Sequence, residues 1–454
     1  MEFFGIRSAD LVVVGSLVLG ALVILVGFIF GRRTGSTRTK HRSEVTKSHV
    51  QSENLPAVTP TPGNHQTITT GGGKRAKNKK RREAQQEFTH SWMVGALKGH
   101  TGPVLDMNFA SNNKFLASCG EDRTVHIWCT KDLASKEKKS LRVNIDYDFA
   151  TNVRVSPDGK AFIIHKSLGN NIEVYGLKKK TNGFFVSATS VLEFPKKHDE
   201  DIVGMDIACN GRFIMTCSKK NDLIIWDLKG EIIATLDTYL GSTHRARISP
   251  CGRFVAASGF TPDVKVWEVG FTKDEKFKQV GKAFDLAGHS SGVYDFDFCA
   301  DSSQMGSVSK DGSYRFYDTK IEYERGEDPR LLTSGAWENT TPAKVALSPN
   351  GEVLAIGHDT SLSLFSTVSG KLDITIEDLG YVACLTFDAS GEYLLVAVEK
   401  QIKIFRNVTG YRTAIESAKR KLEQKLTSAT KERLQKTIAD ATKFLQDLGE
   451  QVSQ

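Results

Sequence analysis

The chain has 454 residues, 39% hydrophobic, 9% aromatic and 25% charged, enough apolar content for a sizeable core and too much for a disordered protein. Its net charge of +8 is concentrated: residues 31–87 hold 13 Lys and Arg against 4 Glu, so the basicity belongs to a linker and not to the segment that follows. The seven cysteines are odd in number, scattered and never spaced C-x-x-C, which excludes a disulfide framework and a zinc ribbon and predicts buried, reduced thiols.

Residues 11–30, "LVVVGSLVLGALVILVGFIF", carry no charge. As a helix rising about 1.5 Å per residue they would cross one hydrocarbon core of about 30 Å. The run ends with bulky Ile29 and Phe30 where a signal peptidase needs small residues, so a retained single-span anchor is expected. Arg32, Arg33, Arg38, Lys40, Arg42 and Lys47 follow the span and only Arg7 precedes it. The positive-inside rule then leaves residues 1–10 lumenal and the bulk of the chain cytosolic. So short a span suits the thin bilayer of the endoplasmic reticulum. Ser16 and Gly20 form a small-xxx-small pair, which leaves self-association open.

Residues 31–87 are expected to form a flexible basic linker, rich in Ser, Thr, Pro and Gly up to residue 73. Lys74, Arg75, Lys77, Lys79, Lys80, Arg81 and Arg82 then crowd into nine positions. Such a run is a solvated charge cluster or a contact for RNA phosphates or anionic lipid headgroups. No aromatic residue interleaves it to stack bases, so any RNA contact there would be largely independent of sequence.

From 88 to 410 the pattern is periodic. Strand-like stretches end on Trp128, Tyr175, Trp226, Trp267, Tyr317, Phe365 and Phe405, spaced 40 to 51 residues apart, the period of four-stranded propeller blades. Seven marks predict an all-β, seven-bladed propeller. The stretches "FLASCGEDRTVHIW" (115–128), "FIMTCSKKNDLIIW" (213–226), "FVAASGFTPDVKVW" (254–267) and "MGSVSKDGSYRFYD" (305–318) echo one another as strand, polar turn, strand. Turns at 156–160, 249–253, 348–352 and 388–392 supply Gly, three of them with Pro, ahead of a second strand. No strand follows Phe405, so residues 91–97, "SWMVGAL", are expected to complete the last blade and close the ring.

These motifs resemble the WD40 family, with its Gly-His at 99–100 and 288–289 and its Trp-Asp at 226–227. The resemblance implies blade-locking sets of His, Ser or Thr, Asp and Trp. Blade 1 has His100, Ser118, Asp122 and Trp128. Blade 5 has His289, Ser307 and Asp311 with Tyr317 in the Trp place. Blade 3 has His198, Thr216 and Trp226 but Lys220 where Asp is expected, which predicts an incomplete set and a looser turn. The roles are structural, and no metal or other cofactor is expected.

No catalytic constellation emerges. "GHSSG" at 288–292 fits the nucleophile elbow of hydrolases, but that motif needs a helix after it, and "VYDFDF" at 293–298 alternates as a strand. After residue 410 the chain turns Lys-, Glu- and Gln-rich, with Ile415, Ala418, Leu422 and Leu426, then Leu434, Ile438, Ala441, Leu445 and Leu448 at helical spacing. A short helical hairpin over 411–450 is expected, its second helix capped within "TSAT" at 427–430, to pack on the propeller or bind a partner.

The order anchor, basic linker, propeller, helices resembles one membrane-anchored WD40 subfamily, as do "FPKKH" (194–198), "FVAASGFTPDVKVWEV" (254–269) and "SVSKDGSYRFYDTKIEY" (307–323). That resemblance implies an endoplasmic-reticulum protein of the unfolded-protein response, associated with the stress-sensing kinase that phosphorylates a translation initiation factor, and with mRNA as a further partner. The expected function is a non-enzymatic scaffold without small-molecule substrate, binding partners through the propeller faces and the long connection from Lys320 to Lys344. Two alternatives are a small-GTPase exchange factor or regulator of vesicle budding, and an RNA-binding translation adaptor using Lys74 to Arg82. Asn339 and Asn407 head glycosylation sequons that would be used only in a lumenal propeller.

Overall fold

A computed structural model describes residues 88–450 apart from 132, 136–137, 180–184 and 338–340. The expected span, the linker with Lys74–Arg82, and Asn339 lie outside the described residues; among those described, no helix is long and apolar enough to cross a membrane.

Seven four-stranded antiparallel sheets follow one another along the chain. Blade 1 runs outward as Val104–Phe109, Phe115–Gly120, Thr124–Cys129 and Ser140–Asn144. Blades 2 to 6 repeat the plan with inner strands Ala150–Val155, Ile202–Ile207, Thr243–Ile248, Val293–Phe298 and Ala343–Leu347, and blade 7 has Val382–Phe387. Its outer strand is Met93–Lys98, which pairs with Gln401–Arg406, so the strand just before blade 1 closes the ring. All seven aromatic marks fall on third strands, and most are under 8% exposed. Apolar side chains of adjacent sheets interdigitate there, as where Trp226 meets Ile163 and Phe194 of blade 2.

The predicted turns form as expected. Gly159, Gly252, Gly351 and Gly391 take φ of 63° to 75°, the left-handed region where other residues strain. At each turn a side chain five residues back accepts from the amide that opens the second strand: Ser156 for Ala161 at 3.0 Å, Ser249 for Phe254 at 2.9 Å, Ser348 for Val353 at 2.9 Å, and Asp388 for Tyr393 at 2.8 Å.

The connection from Lys320 to Lys344 is not a free loop. It contains a 3-10 turn at Tyr323–Arg325 and the outer strand Arg330–Ala336 of blade 5. That strand lies at a sheet edge with most side chains exposed, so it lacks the alternation that marks the others. The cysteine expectation also needs correction. Cys119, Cys217 and Cys299 are buried, but Cys209 and Cys251 are exposed in the first turns of blades 3 and 4; all seven are free thiols.

The first C-terminal helix begins earlier than its apolar spacing suggests, spanning Val408–Leu422, because Asn407 caps it by accepting from the Gly410 amide. The second, Ser428–Asp447, is capped by Thr427. Both pack on the propeller: Ile415, Ala441 and Leu445 join the core of blades 6 and 7. Arg412 ties Asp373 at 2.9 Å to Glu450 at 2.7 Å, and Glu450 accepts from the Trp92 indole at 2.5 Å.

Candidate functional site: blade locks and the connection end

In blade 1 the Trp128 indole donates to Ser118 Oγ at 2.9 Å, Ser118 Oγ lies 2.8 Å from His100 Nε2, and His100 Nδ1 lies 3.1 Å from both Asp122 oxygens. The relay reads Trp N–H to Ser, Ser O–H to His, His N–H to Asp. Asp122 also accepts from the Thr101 amide at 2.7 Å and the Thr124 hydroxyl at 2.7 Å. Burial raises its carboxyl, but these donors overcome that and bring it down to about 2.

In blade 5, His289 reaches Ser307 at 2.9 Å and Asp311 at 3.2 Å. The longer Tyr317 side chain passes Ser307 and donates to the Ala287 carbonyl at 2.8 Å, so it fastens the third strand to the Gly-His stretch directly. Blade 3 is complete after all. His198 Nε2 lies 2.7 Å from Thr216 Oγ1, Trp226 donates to the same oxygen at 2.7 Å, and Asp222, not Lys220, meets His198 Nδ1. Lys220 is exposed.

Other blades hold the same junction by other means. In blade 2, Asp148 accepts from the Phe149, Leu168 and Gly169 amides at 2.7 to 2.9 Å. In blades 4 and 7 a lysine two residues before the aromatic mark reaches the preceding connection: Lys265 to the Thr238 and Tyr239 carbonyls at 3.0 and 2.8 Å, Lys403 to Leu379 at 2.6 Å.

His100, Asp122 and His126 place ligand atoms within 4.8 Å of one another, but His100 and Asp122 are committed to the lock. Burial lowers the pKa of His100, His198 and His289 against the pull of their aspartates, His289 from the ordinary 6.5 to about 4. The folded locks are therefore neutral at imidazole where the unfolded chain binds protons. Their stabilisation is complete above pH 6.5 and is lost as pH falls below it, for His289 down to about 4 and by about 3 kcal/mol. Urea midpoints should decline through that window, with less decline in His289→Gln; a flat profile contradicts the assignment.

Around the axis, inner-strand carboxylates stitch blades in pairs. Asp106 accepts from the Val153 amide at 3.1 Å, Asp206 from Ile248 at 3.1 Å, and Asp295 from Val345 at 3.0 Å, joining blades 1 to 2, 3 to 4 and 5 to 6. Arg154 links these pairs through Asp106 and Asp206, the latter at 3.4 Å, and Arg247 meets Asp297 at 3.0 Å. Sequence reading missed this set; its trace is charge inside strand-like stretches such as "VLDMNF" and "VYDFDF".

In each blade the hairpin between second and third strands and the connection to the next blade lie at the same end. Among the described residues the five most exposed large hydrophobic side chains all sit there: Tyr147 at 90%, Tyr239 at 74%, Leu168 and Phe260 at 73%, and Tyr381 at 63%. The loops of Tyr239 and Phe260 are joined by Phe260 N to Ser242 O at 2.9 Å and Thr261 N to Leu240 O at 3.3 Å. Tyr147 and Tyr239 hold φ of 60° and 51°, strained values for bulky residues.

Asn407 is 4% exposed, and its amide donates to the Gly391 carbonyl at 2.8 Å, so the folded chain offers no acceptor there.

Residues 91–129, 189–227 and 280–318 match the family model described as WD domain, G-beta repeat. Each segment runs from the outer strand of one blade to the aromatic mark of the next, and these are blades 1, 3 and 5, where the histidine locks stand. Fold and locks together define a WD40-repeat propeller. The chain is 39% identical to Transducin beta-like protein 2 of Mus musculus over 412 residues, 89% of this chain and 93% of that protein. It is 40% identical to the Homo sapiens protein over 389 residues, 84% and 87% of the two. The chain belongs to the transducin beta-like protein 2 family. It is also 24% identical to the guanine nucleotide-binding protein subunit beta of Saccharomyces cerevisiae over 213 residues, 39% of this chain and 49% of that one.

Proposed function

We propose that this chain is a non-enzymatic scaffold, anchored in the endoplasmic-reticulum membrane by residues 11–30, that offers the connection end of its propeller to cytosolic protein partners. The observation that carries this reading is the concentration of Tyr147, Leu168, Tyr239, Phe260 and Tyr381 at one end. Exposed aromatics on a rigid support are the groups that anchor protein interfaces at low entropic cost. The uncharged run and the basic residues after it support the anchored, cytosol-facing arrangement. Anchoring raises the local concentration of whatever the propeller binds. By family resemblance the partner is the stress-sensing kinase that phosphorylates a translation initiation factor, which puts the chain in unfolded-protein-response signalling.

The test is Tyr239→Ala combined with Phe260→Ala in the full-length chain. Losing two interface aromatics should cost about 2 kcal/mol or more, so kinase recovered from stressed cells should fall at least roughly tenfold while the unfolding temperature holds. Undiminished recovery would remove the connection end from the account. The density of Lys74–Arg82 carries a second reading, sequence-independent RNA binding. Charge reversal of that run should lower crosslinked RNA; unchanged crosslinking removes the reading.

A further inference from the structure

At the propeller axis the inner strands enclose a cavity of about 250 Å³ whose wall includes His244, Arg245, Arg247, Asp295 and Lys344. Most axial charges are satisfied. Arg154 is held by Asp106 and Asp206, and Arg247 donates to Asp297 at 3.0 Å and to the Val345 carbonyl at 3.4 Å. His244 Nδ1 lies 3.0 Å from the Val293 carbonyl.

Two cations differ. The Arg245 side chain is 13% exposed, yet its guanidinium makes no hydrogen bond among the described residues; its Nε pairs with Asp295 only at 3.5 Å and is buried without a hydrogen-bond partner. A guanidinium carries five donors, and leaving them unmet in a desolvated place is costly. The Lys344 ammonium, on the same wall, makes no direct hydrogen bond or ion pair with a described residue, and Asp295 is the carboxylate that acts on it. Asp295 cannot serve both fully, since its oxygens already accept from the Phe296 amide at 2.9 Å and the Val345 amide at 3.0 Å. Of the neighbouring carboxylates, Asp106 is already bonded by Arg154 and Asp297 by Arg247, so Arg245 and Lys344 share Asp295 and keep donors to spare. Burial, with the neighbouring Arg247, also lowers the pKa of Arg245, and burial lowers that of Lys344; a bound anion would relieve both.

We propose that this axial cavity is a binding site for a small oxyanion of the phosphate class, gripped by Arg245 and Lys344 with Arg247 behind them. The planar guanidinium fork matches two oxygens of a tetrahedral anion, and the ammonium supplies a point charge to a third. The cavity is smaller than the roughly 300–1,000 Å³ of pockets that bury drug-sized ligands, which favours inorganic phosphate or pyrophosphate over larger esters. The site lies at the axis near the connection end, among the first residues of the inner strands, and uses none of the exposed aromatics of the partner surface.

The experiment titrates full-length protein in detergent with phosphate and with pyrophosphate, against chloride at matched ionic strength, by calorimetry and by unfolding temperature. One saturable site is expected, with an unfolding temperature that rises with ligand. Lys344→Met and Arg245→Gln should each weaken binding by roughly tenfold or more. Lys344→Met replaces an unpaired cation with an apolar chain of similar length, so without the anion it should unfold no earlier than wild type. Saturation with pyrophosphate alone would identify a diphosphate-sized ligand. A response to both anions no larger than to chloride, or variants that bind like wild type, would overturn the proposal.

Discussion

Arg154→Leu is expected to destabilise the propeller by about 3–5 kcal/mol, the cost of breaking a buried ion pair from one side. Arg154 is 6% exposed and bonds Asp106, itself 3% exposed, as well as Asp206 in the next blade and the Val153 carbonyl at 2.6 Å. Removing the guanidinium strands a carboxylate in a nearly dry place between blades. Adding Asp106→Asn should recover part of the loss, because the amide oxygen still accepts from the Val153 amide at the position Asp106 now holds at 3.1 Å. Urea midpoints of the single and double variants measure the coupling; equal stability of Arg154→Leu and wild type would show that the axial charges do not join the blades.

Deleting residues 88–98 should have a larger effect still. The strand Met93–Lys98 completes blade 7, and with it go Trp92 and Leu97, each 2% exposed. Burial of an indole and a leucine alone is worth roughly 5 kcal/mol, comparable with a whole domain's margin of about 5–15 kcal/mol. The deletion would also bare the edge of Gln401–Arg406 and loosen the Trp92 tie to Glu450. The truncated chain is expected to lose cooperative unfolding and to associate on size exclusion. A cooperative monomer with an unchanged midpoint would mean that ring closure by Met93–Lys98 is dispensable.

The ring was legible because its signal is local and repeated: an aromatic on each third strand, a Gly turn before the second in most blades, and a spare strand placed to close it. The lock of blade 3 was misread for a geometric reason. Asp222 opens the third strand where blade 1 has Thr124, whose hydroxyl also lies 3.3 Å from His100 Nδ1, so a carboxylate placed there still reaches His198. Pairs such as Arg154 with Asp206 depend on which blades are neighbours, which no single repeat encodes. Likewise Tyr147, Tyr239 and Tyr381 look unremarkable in their own loops, and only the alternating strand direction gathers them at one end. The Asn407 sequon reads as an acceptor until the helix it caps is in place.

Whether the propeller faces the cytosol decides which partners can reach that end, and protease treatment of intact microsomes carrying the full-length chain asks it directly. With the C-terminal helices followed by antibody, a digested propeller without endoglycosidase-sensitive sugar is expected while the membrane stays sealed. A protected propeller carrying sugar at Asn339 would contradict it, since Asn407 is buried as a helix cap and gives no competing signal in the folded chain.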